Sequence, residues 1–126
     1  MNKYLPFIGL GVFLVLIVAG LYVMLTPKQA PGQYDSFAQC LTSKGVKMYG
    51  AWWCPHCKTQ KEWFGSSFSY VNYIECSTAD GNAQLQVCKD AGIEGYPTWE
   101  FADGSRKGGE IELNQLSLDT GCPLTK

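Results

Sequence analysis

Residues 47–57 read KMYGAWWCPHC, and the reading of this stretch decides the fold. From Val46 to Trp53 only Lys47 is charged, and the run reads as a buried strand. It passes directly into Cys54-Pro55-His56-Cys57 and then KTQKEWFG, a good helix-forming segment. Pro55 falls at the start of that helix, where its missing N–H leaves no intrahelical bond unmade. Cys54 is therefore expected at a helix N-terminus, immediately after a strand.

The segments on either side fit one α/β domain. Asp35 or Ser36 can cap a helix carrying Phe37, Cys40 and Leu41, which Gly45 ends. Beyond the cysteine pair, Val71 to Cys76 reads as a second strand, Asn82 to Ala91 as a helix stopped by Gly92, and Thr98 to Phe101 as a third strand. Asp103-Gly104 signals a hairpin into a strand around Arg106 to Ile111, and a last helix runs from about Leu113 to Thr120. This order predicts a mixed sheet flanked by helices, since the crossovers ask for parallel strands and the hairpin for an antiparallel one.

Upstream, Leu5 to Leu25 contains no charged residue. As a helix it would be roughly 31 Å long, matching a hydrocarbon core of about 30 Å. Leu10 and Val12 to Val18 leave no polar face, so a core helix is a poor alternative. No small-x-small cleavage site precedes Thr26-Pro27, which favours an uncleaved membrane anchor over residues 1–26. Lys3 before the span and Lys28 after it give a slight bias to a cytoplasmic N-terminus. TPKQAPGQYD then reads as a short tether, with the linker at 27–33 and the folded domain at 34–126.

Composition narrows the function. The 126 residues are 46% hydrophobic and carry a formal charge of −1, with no basic stripe to collect phosphates, so nucleic acid is excluded as a partner. All six cysteines, Cys40, Cys54, Cys57, Cys76, Cys88 and Cys122, follow the apolar segment. Such density points to an oxidising compartment. With Cys54 and Cys57 set aside as a C-x-x-C unit, three pairings of the other four remain open.

WCPHC at a strand end, GYPT about forty residues later, then a strand and a DG hairpin resemble the thioredoxin fold over Tyr34 to Cys122. KMYGAWWCPHC with Cys76, Cys88 and GYPTWEF is most similar to the thioredoxin-like domain fused to, or partnering, bacterial homologues of vitamin K epoxide reductase. The resemblance implies a redox-active Cys54–Cys57 disulfide as the only cofactor. It also implies a cis-proline loop at Tyr96-Pro97-Thr98 facing that pair and binding extended substrate backbone. It supports a Cys76–Cys88 bridge. Cys40 and Cys122 are then left, on elements that can share one side of the sheet in this fold.

The chemistry at each position has a physical reason. The positive end of a helix dipole favours a thiolate at Cys54, the expected attacking group. Cys57, one turn further in, is placed to resolve the mixed disulfide. His56 between them can stabilise the Cys54 thiolate further and make the pair a stronger oxidant. Trp53 is expected near the surface beside the site, whereas Trp52 and Trp99 fit either a groove or the core. Zinc is disfavoured because no second C-x-x-C completes a four-ligand set, and Lys58 after Cys57 excludes haem attachment. Many thioredoxins carry a buried acid six residues before the first active cysteine, and Met48 stands there in this chain.

The resulting expectation is a single-pass membrane thiol–disulfide oxidoreductase facing the periplasm or an equivalent space. It would pass electrons from cysteine-containing secreted proteins to a quinone-linked, vitamin K epoxide reductase-type membrane enzyme. Two alternatives stay open. One is a reductase or isomerase fed by a transmembrane electron donor, and the other is a non-catalytic disulfide-stapled binding domain.

Overall fold

The computed structural model describes residues 5–25 and 31–125, with side chains in the first stretch from Gly9 onward. Contacts divide the chain into Met1–Ala30 and Pro31–Lys126. The expectations placed on Lys3, Lys28 and most of the linker lie outside the described residues.

In the first unit, Leu5–Leu25 forms one helix, α1, of 21 residues. Its described side chains, Gly9 to Leu25, are exposed on every side. The expected helix is thus present, but among the described residues no helix is long and apolar enough to cross a membrane.

The second unit runs α2 (Asp35–Ser43), β1 (Lys47–Gly50), α3 (Pro55–Phe64), a 3₁₀ segment (Gly65–Tyr70), β2 (Tyr73–Glu75), α4 (Gln86–Asp90), β3 (Thr98–Glu100), β4 (Arg106–Gly108) and α5 (Leu113–Thr120). The four strands form one sheet in the order β2-β1-β3-β4. β2 is parallel to β1, whereas β3 is antiparallel to both β1 and β4.

Several boundaries differ from the sequence expectation, each for a hydrogen-bonding reason. The first strand stops at Gly50 rather than Trp53, because the Cys54 N–H turns back to Ala51 O and the Trp52 N–H bonds Glu75 Oε1. The second strand starts at Tyr73, not Val71, whose N–H closes the 3₁₀ segment on Phe68 O. Asn82 to Leu85 is not helical, since Thr78 pairs with Ala83 and Ser77 bridges to Gln84. Neither Asp35 nor Ser36 caps α2; Tyr34 holds the cap position, and Asp35 Oδ2 accepts from the Gly32 N–H instead. The second crossover expected to be parallel is absent. With only five residues, α4 is too short to carry the chain back across the sheet, so β3 enters from the end where β2 stops.

Alternation along the strands gives the sheet two different faces. On one, Met48 and Trp99 pack with Phe37, Ala38 and Leu41 of α2, Cys57 and Phe64 of α3, and Leu113 and Leu116 of α5. On the other, Tyr49 packs with Cys76, Cys88 and Ile93. Cys40 is bonded to Cys122, and Cys76 to Cys88. The first bridge joins α2 to the segment after α5; the second ties α4 to the end of β2.

One buried amide locks the first face. Gln60 of α3 is fully buried; its Nε2 donates to Ile111 O at 3.0 Å, and its Oε1 accepts from Ile111 N at 2.7 Å and Trp99 Nε1 at 3.3 Å. Gln60→Leu keeps the volume but leaves these groups unpaired, at about 1–3 kcal/mol for each buried polar group that finds no other partner. Guanidinium unfolding of the variant should therefore show a stability loss of at least about 2 kcal/mol; an unchanged midpoint would contradict this role.

Candidate active site

Gly50 ends β1, Ala51 to Trp53 turn, and Cys54 becomes the N-cap of α3 with φ −75° and ψ 120°. Its sulfur accepts the Cys57 N–H at 3.4 Å, taking the place of the oxygen that more often caps a helix. Pro55 occupies the first turn, as its fixed φ and missing donor favour. Both sulfurs are free thiols here. Cys54 retains 5% exposure against 1% for Cys57, which sets the order of accessibility.

The Cys54 thiol donates to Tyr96 O at 3.6 Å, so the Tyr96-Pro97 loop faces the cysteine pair. The Tyr96–Pro97 peptide is cis, and Pro97 is fully buried. Tyr96 is held from two sides: its hydroxyl accepts from Gln84 Nε2 at 2.8 Å, and its ring meets the Trp53 ring edge-on at 6.0 Å.

Trp52 and Trp53 are exposed by 56% and 49%, so both tryptophans lie at the surface, while Trp99 is core. Their indole nitrogens are fixed: Trp52 Nε1 donates to Thr78 O and Trp53 Nε1 to Ser77 Oγ. At Gly81, φ +75°, a β-carbon would come into contact with both rings.

His56 is mostly exposed, and its Nδ1 lies 2.8 Å from Glu110 Oε1. Among the described residues it makes no hydrogen bond to the sulfur of Cys54 or Cys57. Glu110 was not legible as a partner, because it lies far along the chain and reaches His56 only once the β4 strand has folded back.

Met48 is fully buried and Lys47 pairs with Glu100 Oε1 at 2.9 Å on the opposite face. Neither supplies a proton acceptor to Cys57. Two residues missed from the sequence are linked on the same side of the sheet: Tyr73 packs against the cluster that holds Cys57 and donates its hydroxyl to Glu75 Oε2 at 2.7 Å. Their i, i+2 spacing on a strand was the available signal, since it puts both on the face shared with Gly50. Burial is the first cause of a Cys57 thiol pushed up to about 12, with the Cys54 contact adding to it and the Ala51 backbone and Lys61 opposing. Burial, then the Glu75 bond, likewise raises the Tyr73 hydroxyl.

This arrangement is a dithiol of two buried cysteines, the less buried one at a helix start, the other a turn away, with a backbone loop facing the first. The family model described as Thioredoxin matches residues 29–117. A thiol-disulfide oxidoreductase of Arabidopsis thaliana, LTO1, is 46% identical over 93 residues, covering 71% of this chain and 24% of the relative. The protein disulfide-isomerase erp38 of Neurospora crassa is 26% identical over 117 residues, covering 81% of this chain and 31% of that protein. The chain thus spans about a quarter to a third of the length of these curated relatives. Among solved structures, mitochondrial thioredoxin 3 of Saccharomyces cerevisiae in its oxidized form matches at a TM-score of 0.33 and 22% identity, covering 61% of this chain and 74% of that one.

Accessibility and thiol acidity together make an order of reaction. Brief iodoacetamide treatment of the reduced protein at pH 7 should alkylate Cys54 and leave Cys57 unmodified until the chain is unfolded. Peptide mapping reads the order, and equal labelling of both residues would contradict it.

Proposed function

This chain belongs to the thioredoxin family of thiol–disulfide oxidoreductases, and from that premise we propose that Cys54 and Cys57 carry out the exchange. The observation that carries the reading is Cys54 standing as the sulfur cap of α3 opposite the Tyr96 carbonyl. The partial positive charge of a helix N-terminus favours an attacking thiolate there. In the reducing direction, the Cys54 sulfur attacks one sulfur of a partner disulfide, forming a mixed disulfide and releasing the other partner sulfur as a thiolate. Cys57 then attacks Cys54, the Cys54–partner bond breaks, and Cys54–Cys57 is left oxidised. Oxidation of a partner dithiol is the same sequence reversed, with two electrons passing to the pair.

Tyr96 and Pro97 supply the edge along which an extended partner segment lies, and Trp53 flanks it. His56 is the candidate for tuning the pair's potential, and its contact to Glu110 fixes where the imidazole stands. Pro55 holds the helix start. The Cys40–Cys122 and Cys76–Cys88 bridges are structural crosslinks.

The membrane setting is part of the proposal. The uncharged residues Leu5 to Leu25, at about 1.5 Å each, match a bilayer core and support a single anchor with the folded domain on the extracytoplasmic side. Six cysteines in the chain support an oxidising compartment. The likeness of KMYGAWWCPHC and GYPTWEF to domains that work with vitamin K epoxide reductase homologues supports electron flow from secreted cysteine proteins to a quinone-linked membrane enzyme of that class.

Trapping tests the assignment of the two sulfurs. The Cys57→Ser chain should accumulate mixed disulfides through Cys54 with partner proteins, whereas Cys54→Ser should accumulate none and lose exchange altogether. Non-reducing gels followed by mass spectrometry give the readout. Adducts in Cys54→Ser and none in Cys57→Ser would reverse the roles.

A further inference from the structure

Cys57 has to lose a proton before its sulfur can attack, and its surroundings keep that proton on. Burial pushes the thiol up, so its thiolate is a minor form at neutral pH. Met48 provides no base. A base that acts at neutral pH is then to be sought on another element packed near the sulfur.

Gly50 shows which one. A β-carbon built there would lie 3.0 Å from Cys57 Sγ, 2.8 Å from Tyr73 Cε2 and 3.1 Å from Tyr73 Oη. The missing side chain is what lets the thiol and the phenol approach the same point. From there the hydroxyl donates to Glu75 Oε2 at 2.7 Å. The other carboxylate oxygen, Oε1, accepts the Trp52 N–H at 3.1 Å and the Ser77 N–H at 2.9 Å, so the carboxylate is fixed in place. Tyr73 and Glu75 are both half-buried, which connects the interior sulfur to the surface.

The remaining groups around Cys57 do not compete as bases. From α3 come Cys54 and Lys61, whose Nζ lies 3.8 Å from the Tyr73 ring centroid as a cation. From β1 come Met48 and Gly50, and from β3 Trp99, all uncharged.

We propose that Tyr73 and Glu75 form the proton route of Cys57, a role that rests on the exchange reading above. As the Cys57 sulfur forms its bond to Cys54, its proton passes to Tyr73 Oη while the Tyr73 proton passes to Glu75. The Cys54–partner bond breaks and the partner sulfur leaves as a thiolate. That thiolate becomes a thiol on taking up a proton, and the proton held by Glu75 balances it. In the opposite direction Glu75 returns the proton to Cys57 as the internal disulfide opens.

The test uses the full-length chain in detergent, reduced and then mixed with glutathione disulfide, with acid quenching and intact-mass analysis. The Cys54–glutathione adduct and its conversion to the internal disulfide are followed separately from pH 6 to pH 11. Tyr73→Phe and Glu75→Gln should form the adduct at the wild-type rate but resolve it about 100-fold more slowly at pH 7, the scale of a lost general base. The gap should close as pH rises and hydroxide removes the Cys57 proton directly. Wild-type resolution rates in the variants would overturn the proposal, as would a deficit of the same size at every pH, which marks a merely structural role. Glu75→Gln preserves an acceptor for the Trp52 and Ser77 amides and Tyr73→Phe preserves the ring, so if one variant fails to fold the other decides. If wild type forms no adduct at Cys54, the exchange reading fails and this proposal fails with it.

Discussion

When the Cys54 sulfur accepts the Cys57 amide, it stands where the unpaired donors at the start of α3 concentrate positive charge. That position exists only because β1 ends at Gly50 and the next three residues turn instead of continuing the ladder. The turn is held from the neighbouring strand, since Glu75 accepts the Trp52 amide. The Cys54 sulfur, strand end and helix start are therefore one constraint. Displacing any of them moves Cys54 away from the Tyr96 carbonyl that faces it.

The rest of the fold keeps that junction rigid. Gln60 joins α3 to Trp99 of β3 and to Ile111 on the same face of the sheet through a buried, hydrogen-bonded amide. The two crosslinks act at other distances along the chain. The Cys76–Cys88 loop is short and worth roughly 3 kcal/mol in a chain-entropy account, while Cys40–Cys122 closes 82 residues and reaches about 4–5 kcal/mol. A small domain with short strands gains much from such constraints. Cys54 and Cys57 are the exception, two free thiols beside four bonded cysteines.

What the sequence disclosed was local. The helix from Pro55, the left-handed stop at Gly45 and the last helix at Leu113–Thr120 all follow from short-range rules of capping and propensity. WCPHC and GYPT named both halves of the site, though the facing of Tyr96 and Cys54 is tertiary. The errors came where hydrogen bonds left the chain's own neighbourhood. Trp52 and Trp53 look like the end of a strand until Glu75, Ser77 and Thr78 are seen to claim their donors. The antiparallel entry of β3 depends on how short α4 turns out to be. Tyr73 and Glu75 could be placed on one strand face, but the approach of the Tyr73 ring and the Cys57 sulfur to the same point depends on an absent side chain at Gly50, which no linear pattern marks.

The central claim is that one pair out of three is redox-active. Equilibration of the protein across a series of glutathione buffers, with acid quenching, alkylation and mass analysis of each cysteine, tests it most directly. The account predicts that Cys54 and Cys57 titrate together and reversibly as a single two-electron couple, while Cys40–Cys122 and Cys76–Cys88 stay oxidised throughout. A Cys54–Cys57 pair that does not respond to the buffers, or that titrates only together with the other two bridges, would contradict it.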